Sequence, residues 1–365
     1  MNLMNLRLIT FLILFPVLDL LAQNNNHIVH LKPEEWNIQA NSYYICGISD
    51  KRHDPDNNGK MMSGMSGKVV NIDFDGGLEK ALLEFIQSSF TQDTSSIPVW
   101  IGIDEFVFKD PGTYMKHTLS LNFKLHYYRI IDGNEIELFQ TSGIPQMSAR
   151  GIPPDMPETI IRQTFKQIAK SFDDWVKANP NQPTLCKGIS VNFLSINPED
   201  KSGKNDTILW SSEYKLKWAD FQSSPDKKSP FSALSHCLFD YKSVPTFENQ
   251  MMVLNIRIFA CFAKKGSWVQ SDKKQDILLS HEQLHFDICE LYVRRLRKKI
   301  SETKFNLLHS DVQFKELFDE AWKSYQDAQN RYDEESEHGL VDEYQKSWAT
   351  QVRIELDELK EFAKD

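Results

Sequence analysis

Residues 280–288 of the chain are Ser-His-Glu-Gln-Leu-His-Phe-Asp-Ile, a stretch that contains the pattern His-Glu-x-x-His. In an α-helix, residues four positions apart lie on the same face, so His281 and His285 can bind one metal ion together. Glu282 lies about 100° further round the helix. There its carboxylate can reach a water molecule beside the ion without binding the ion itself. Two neutral imidazoles and a carboxylate base in this order are typical of zinc hydrolases.

The surrounding sequence predicts that this stretch is helical. Apolar residues recur at helical spacing through Leu278, Leu284, Ile288 and Leu291. No proline or glycine interrupts residues 272–304. The cluster of positive charges at residues 294–299 suits the C-terminal end of a helix, and we expect that end to be solvated.

Composition limits the classes of protein to which the chain can belong. Its 365 residues are 41% hydrophobic, which is enough for two ordinary globular domains. The formal net charge of −9 argues against nucleic acid as a partner, because no basic stripe is present to neutralise phosphates.

The N-terminus has the features of a secretory signal peptide. Arg7 precedes an apolar run at residues 8–17, and the small residue Ala22 is followed by a polar stretch. We therefore predict a signal peptide at residues 1–22 and a secreted or periplasmic protein. No second apolar run of membrane length follows, so we expect no stable membrane span after signal removal.

Residues 178–183 (ANPNQP) resemble a linker and give the best domain boundary. The pattern predicts a first domain at residues 23–180, an α/β sandwich-like unit with no catalytic constellation that we interpret as an accessory or binding domain of unknown ligand. Its predicted strands are 69–74, 97–108, 119–131 and 136–139, and its predicted helices are 77–90 and 159–176.

The second predicted domain comprises residues 181–365 and makes the whole chain α+β. We expect a zincin-like domain with a small twisted sheet packed on the His-Glu-x-x-His helix. The edge strand of such a sheet can pair with an extended peptide substrate. Its predicted strands are 216–221, 233–244 and 251–263, and helical stretches are predicted at 304–308, 311–331 and 342–363.

The five cysteines are an odd number for an oxidising compartment, so at least one must lack an intrachain partner. Cys237 and Cys261 lie in neighbouring predicted strands and form the most plausible disulfide. Cys289 follows His285 on the same helix face but is too far along the axis from His281 to bind the same ion. We interpret Cys289 as a buried thiol.

A catalytic zinc site needs a third protein ligand and one open position. His309 precedes a helix N-cap and is expected to be exposed. We prefer His338, which precedes a glycine at a helix end and has acidic neighbours that can orient its ring, over Glu334 or Glu335.

Four short stretches accompany the helix: WADF at 218–221, SWV at 267–269, YD at 332–333 and HG at 338–339. With SHEQLHFDI at 280–288, they resemble the bacterial family called domain of unknown function 922, whose members are described as predicted secreted zinc-dependent proteases. The resemblance covers about residues 210–350. It implies that His281, His285 and His338 bind zinc and that Glu282 is the base, and it implies nothing about the first domain.

The resulting hypothesis is a zinc metallopeptidase that hydrolyses a peptide or protein substrate. Zinc activates a water molecule, and Glu282 takes its proton as the water attacks a peptide carbonyl. Among nearby tyrosines, Tyr332 is favoured as a stabiliser of the developing oxyanion, because it lies close to His338 in the sequence. Asp287 points off the histidine face and is expected to fix the helix or a loop.

The sequence leaves two alternative functions open. The first is a non-catalytic zinc-binding envelope protein that uses the same residues as a structural or storage site. The second is a secreted binding module in which the first domain carries the function and the metal is incidental. The sequence leaves the substrate and the oligomeric state undetermined.

Overall fold

The computed structural model of the chain describes residues 26–63, 68–110, 117–150, 153–195, 206–226 and 228–364. Within these ranges the fold is mixed α+β, with five α-helices and several small sheets. The expected signal peptide at residues 1–22 lies outside the described residues. No helix in the described part of the chain combines the length and apolar character needed to cross a membrane.

The first half of the chain consists of strands β1–β10 and two helices. The strands are β1 (Asn26–Val29), β2 (Gln39–Ala40), β3 (Tyr43–Asp50), β4 (Lys60–Ser63), β5 (Lys68–Phe74), β6 (Thr91–Gln92), β7 (Ile97–Lys109), β8 (His117–Ile131), β9 (Asn134–Gly143) and β10 (Gln146–Ala149). The helices are α1 (Leu78–Ser89) and α2 (Met156–Ala178). The largest sheet has the order β10-β8-β7-β3, and β9 also pairs with β8.

The elements predicted for this half are confirmed. All four predicted strands coincide with or fall within β5, β7, β8 and β9, and both predicted helices match α1 and α2 to within three residues. Asp132 and Gly133 form the turn between β8 and β9 with φ values of 50° and 81°. Asp-Gly suits a two-residue hairpin turn of this kind, because both positions need a left-handed backbone.

Two large hydrophobic cores follow one another along the described part of the chain. The first contains buried residues between Val29 and Leu185, shared by the largest sheet, α1 and α2. The second contains buried residues between Cys186 and Val352. The change of core follows directly after the linker-like stretch at residues 178–183. Arg129 of the first half donates hydrogen bonds to the carbonyl oxygens of Thr184 and Cys186 at this junction.

The second half is organised around one long central strand, Met251–Ala263. Its strands are β11 (Gly188–Phe193), β12 (Thr207–Leu209), β13 (Ala233–Leu234), β14 (Cys237–Glu248), β15 (Met251–Ala263) and β16 (Trp268–Val269), and its helices are α3 (Asp276–Glu302), α4 (Ser310–Ser336) and α5 (Asp342–Glu358). β15 pairs with β11 in parallel and with β12 and β14 in antiparallel orientation. Helix α3 packs on β14 and β15, and α4 and α5 pack on α3.

Three of the strands and helices predicted for this half need correction. Residues 216–221 form no strand, because the Asp220 carboxylate accepts a hydrogen bond from the Lys217 amide (2.8 Å) and turns the chain into a short 3₁₀ helix, Trp218–Asp220. Residues 304–308 form no helix, because the Asn306 side chain accepts a hydrogen bond from the Leu308 amide (2.7 Å), a local turn that competes with helix. The predicted strand 233–244 is divided into β13, which pairs with β16, and β14, which pairs with β15.

The expected disulfide between Cys237 and Cys261 is absent, and all five cysteines are free. Cys237 lies opposite Phe262 in the ladder, and Cys261 lies opposite Leu238. Because opposed residues in a sheet share a face and successive residues alternate, the two thiols point to opposite faces. Cys289 is fully buried, as expected. Burial raises the pKa of the Cys237 and Cys289 thiols, which makes both poor nucleophiles.

The basic end of α3 is not fully solvated, contrary to expectation. Arg294 and Arg297 are 5% and 1% exposed. Arg294 forms an ion pair with Glu290 (2.9 Å), and Arg297 donates hydrogen bonds to the carbonyl oxygens of Ile258 (2.5 Å) and Phe362 (2.7 Å). A buried guanidinium is tolerated when carboxylate and carbonyl groups satisfy it. These contacts fix α3 to the central strand and to the C-terminal segment.

Candidate metal centre

Helix α3 places His281 and His285 side by side on one face. Their Nε2 atoms are 3.1 Å apart, and the ring centroids are 4.6 Å apart. Both imidazoles are largely buried, with side-chain exposures of 3% and 12%. Asp287, on another face, accepts hydrogen bonds from Trp210 Nε1 (2.7 Å) and Gln283 Nε2 (2.8 Å), so it holds the helix against a neighbouring segment, as expected.

Helix α4 brings a carboxylate to the two imidazoles. Asp333 Oδ1 lies 3.1 Å from His281 Nε2 and 3.0 Å from His285 Nε2. This contact exists because α4 continues through Ser336, so residues 332–336 form its last turn rather than a loop after it. Asp333 therefore lies on the face of α4 that packs against α3, where it contacts the two histidines.

Two glutamines fix the orientation of the imidazoles. Gln329 Oε1 accepts a hydrogen bond from His285 Nδ1, and its Nε2 donates to the His285 carbonyl oxygen at 2.8 Å. Gln345 Oε1 lies 3.3 Å from His281 Nδ1. A proton on Nδ1 of each ring would satisfy these two acceptors and leave the Nε2 lone pairs free to bind a metal ion, whereas a protonated ring would also donate from Nε2 to Asp333. Outer hydrogen bonds of this kind commonly orient histidines that bind metals.

The converging atoms have the composition and spacing of a cation site. Two imidazole lone pairs and a carboxylate oxygen within 3.0–3.1 Å of one another repel unless a proton or metal ion lies among them. Nitrogen and oxygen ligands of a tetrahedral zinc lie about 3.3 Å apart, given bonds of about 2.0–2.1 Å. The separations here are close to that value. Mixed imidazole and carboxylate donors also suit zinc.

The pKa values of Asp333 and His285 reflect the same convergence. Burial opposes ionisation of Asp333, but the hydrogen bonds and positive charge of His281 and His285 outweigh burial and hold its pKa well below the ordinary value. Burial also lowers the pKa of His285, but the hydrogen bond and charge of Asp333 outweigh that effect and raise its pKa. The site therefore favours a positive charge beside an ionised carboxylate.

His338 reaches the same carboxylate from the turn after α4. Its Nδ1 is 3.3 Å from Asp333 Oδ1, and its side chain is 51% exposed. One ligand atom from each of His281, Asp333 and His338 lies within 4.8 Å of the others. The turn holds Glu337, His338 and Gly339 in the left-handed region with φ values of 48°, 56° and 85°. Gly339 is required there, because a Cβ atom would also lie 3.0 Å from the His281 side chain.

Tyr332 lies behind the metal-binding face and not in the cavity. It is fully buried, its ring stacks on His281 at a centroid distance of 4.8 Å, and its hydroxyl donates to Gln345 Oε1 at 2.5 Å. Burial raises the pKa of its hydroxyl. This placement favours a role in positioning His281 and gives no support to the predicted contact between Tyr332 and the oxyanion.

Glu282 is adjacent to the converging atoms and lines an open cavity. The cavity has a volume of about 1,100 Å³ and is also lined by His281, His285, Asp333 and His338. Glu282 is only 4% exposed. Within the described residues its carboxylate has no hydrogen-bond or ion-pair partner, and it acts on His285 through its charge alone. A buried, unpartnered carboxylate beside a cavity is suited to accept a proton.

The remaining candidates for a third ligand lie elsewhere. His309 is exposed at the start of α4, as expected. Glu335 accepts a hydrogen bond from Trp348 Nε1 (2.7 Å) and therefore faces α5. Neither Glu334 nor Glu335 lines the cavity.

Sequence reasoning missed Asp333, Gln329 and Gln345 as members of the site. A local signal existed for two of them, because Gln329 and Asp333 are four residues apart and so share one face of a predicted helix. The predicted helix ended at Arg331, however, and the signal applies only because α4 continues to Ser336. Gln345 lies on α5, and only the packing of α5 beside α3 reveals its contact with His281.

We expect the Gln329→Ala variant to bind zinc about 10–100 times more weakly than the wild-type chain, because loss of the hydrogen bond to His285 frees its ring. The measurement is competition for zinc with a chromophoric chelator. Gln326→Ala is the matched control, since Gln326 lies on the same helix and lines the cavity but is exposed. Equal affinity for both variants would contradict the orienting role of Gln329.

Comparison with known proteins places the site inside a recognised family segment. No curated protein matches the chain significantly. The matching family segment begins in β15 and includes β16, α3, α4 and the turn that holds His338 and Gly339, so it includes every residue of the site except Gln345. Residues 260–339 are thus similar to the family described as "Bacterial protein of unknown function (DUF922)".

Proposed function

We propose that this chain is a secreted zinc-dependent peptidase whose second half is a zincin-like domain. One observation carries the proposal. His281 Nε2, His285 Nε2 and Asp333 Oδ1 lie within 3.0–3.1 Å of one another, His338 lies beside them, and the carboxylate of Glu282 opens onto the same cavity. Metal ligands, a base and room for a substrate are therefore adjacent.

The residues present fit a zinc ion. His281 and His285 would hold it through Nε2, and Asp333 or His338 would supply the third ligand. Zinc bound there would supply Lewis acidity and lower the pKa of water toward neutrality. Gln329 and Gln345 keep the two imidazoles in the tautomer that binds metal, and Tyr332 supports the His281 ring from behind.

Glu282 has the role of general base in this proposal. Its carboxylate accepts a proton from the attacking water and then delivers that proton to the amine that leaves when the peptide bond breaks. Two features of the site support this role. The residue is only 4% exposed, and no cation or hydrogen-bond donor in the described residues holds its carboxylate in another position.

An edge strand in the lining of the cavity supports an extended peptide as substrate. Consecutive residues 230–238, which include the short strand β13, form one of its walls. β13 pairs with β16 on one side and belongs to a two-stranded sheet, so it is an edge strand. Edge strands can bind extended peptides through main-chain hydrogen bonds.

A specific observation also favours a second candidate, a non-catalytic zinc site. His281, His285 and His338 all lie within 3.0–3.3 Å of Asp333 Oδ1, so the site has four candidate protein ligands, and four protein ligands are typical of structural zinc sites. In that case the ion would stabilise the packing of α3 against α4 and leave no position for water.

Removal of the metal tests the proposal. A peptidase is expected to lose hydrolysis of a denatured protein substrate after chelation and to regain it with added zinc. A structural site is expected to show no hydrolysis, but zinc at 100 times Kd would stabilise the fold by about 2.7 kcal/mol. The two measurements are release of fluorescent peptides and thermal unfolding. A purified chain that binds no zinc would refute both candidates.

A further inference from the structure

Large apolar side chains surround the mouth of the candidate metal cavity. These side chains, which we name the apolar rim, are Phe231, Leu234, Ile277 and Leu340. Their exposures are 40%, 38%, 49% and 84%. They come from three separate parts of the second half: the wall that contains β13, the first turn of α3, and the turn before α5.

The apolar rim is continuous with the metal centre. The Phe231 ring lies 4.7 Å from the His338 ring, measured between centroids. Leu340 follows His338 by two residues, and Ile277 lies one helical turn before His281 on the same face of α3. A side chain that contacts the rim therefore belongs to a residue close to the bond that the centre would cleave.

Another part of the cavity lining is polar. Gln326, Asp327, Asn330 and Glu337 line it from α4 and the turn that follows, and all four are polar and exposed. A polar wall accepts main-chain groups and water without selecting an apolar side chain. Helix α4 also contributes Trp322 and Tyr325 to the lining, but both are partly or fully buried, so the exposed large apolar side chains of the described lining are those of the apolar rim.

We propose that the apolar rim is a specificity site that binds a large aliphatic or aromatic side chain of an extended peptide, next to the scissile bond. This inference rests on the proposed peptidase function and names its substrate class. Single exposed apolar residues are common on protein surfaces, but a cluster around a cavity marks a binding site. Contact with substrate removes these side chains from water, which favours peptides that carry leucine or phenylalanine at that position.

Cleavage of matched peptides tests the rim. The zinc-loaded full-length chain is offered peptides that differ at one position beside the scissile bond, with leucine, alanine or aspartate there. We expect kcat/KM for the leucine peptide to exceed that for the alanine peptide roughly tenfold to a hundredfold, as expected for hydrophobic pockets. Equal rates for the three peptides at every position tested would overturn the proposal.

Variants of the rim provide the second arm of the test. Leu340→Ser and Ile277→Ser are each expected to lower about tenfold the ratio of kcat/KM for the leucine peptide to kcat/KM for the aspartate peptide. Ile354→Ser is the matched control, because Ile354 is 50% exposed and lies on α5 outside the cavity. Retention of the full preference for leucine by both rim variants would also overturn the proposal.

A binding measurement separates failure of the rim from failure of the peptidase function. Fluorescent leucine and aspartate peptides are titrated onto the zinc-loaded Glu282→Gln variant, which retains the rim but has no base. Selective binding of the leucine peptide without cleavage by the wild-type chain would support the rim and refute the peptidase. Cleavage without selectivity in rate or in binding would support the peptidase and refute the rim.

Discussion

The Glu282→Gln variant is expected to hydrolyse peptides about 10²–10⁴ times more slowly than the wild-type chain and to retain its zinc. Glutamine keeps the shape of the side chain but cannot accept a proton at neutral pH. Glu282 binds no metal in the proposed site, so the affinity for zinc should remain unchanged. The measurements are kcat for a fluorogenic peptide and metal content by mass spectrometry.

Glu320→Gln is the matched control for this change. Glu320 lies on the exposed side of α4 and does not line the cavity. Its replacement makes the same change of charge without touching the site. If the Glu282 and Glu320 variants had the same activity, Glu282 would not be the base, and a structural zinc site would become the better interpretation.

Replacing a histidine of α3 is expected to have the largest effect on zinc binding. Structural zinc bound by four ligands contributes about 10–16 kcal/mol, or roughly 2.5–4 kcal/mol for each ligand, so loss of one histidine should weaken binding by about a hundredfold to a thousandfold. We expect this loss in both His281→Ala and His285→Ala, measured by competition with a chromophoric chelator. His309→Ala, which removes an exposed histidine at the start of α4, is expected to bind zinc normally.

The same zinc-competition measurement, made on variants of Asp333 and His338, identifies the third ligand. Asp333→Asn is expected to weaken zinc binding more than His338→Gln, because Asp333 Oδ1 contacts both helical imidazoles and carries a negative charge. The His338 side chain is also more exposed than that of Asp333, at 51% against 30%. A larger loss in His338→Gln would instead favour the set of three histidines that the sequence suggested.

Much of the fold followed from local patterns. β8 was predictable because it is rich in β-branched and aromatic residues, and β9 was predictable because Asp132-Gly133 favours a hairpin turn that leads into it. α3 was predictable because apolar residues recur at helical spacing with no proline or glycine. Errors arose where a single side chain overrode the pattern. Asp220 and Asn306 bind nearby amides and form turns in place of a strand and a helix.

The charged residues of α3 also show what the sequence alone could not predict. Arg295 and Lys298 are exposed, as a solvated helix end predicts, but Arg294 and Arg297 are buried beside Glu290 and the C-terminal segment. The sequence shows that a residue is charged, but it does not show which helices and strands pack against that residue and bury it. The partners of Arg297 include carbonyl oxygens 39 and 65 residues away.

The sequence by itself determined the helix that carries His281, Glu282 and His285 and the placement of the two histidines on one face, because helical geometry fixes contacts four residues apart. Only the tertiary structure decided the remainder of the site. Asp333 lies 48 residues from His285, and Gln345 lies 64 residues from His281. Their contacts depend on how far α4 extends and how α4 and α5 pack on α3, and that packing is set by the shared hydrophobic core rather than by any local pattern.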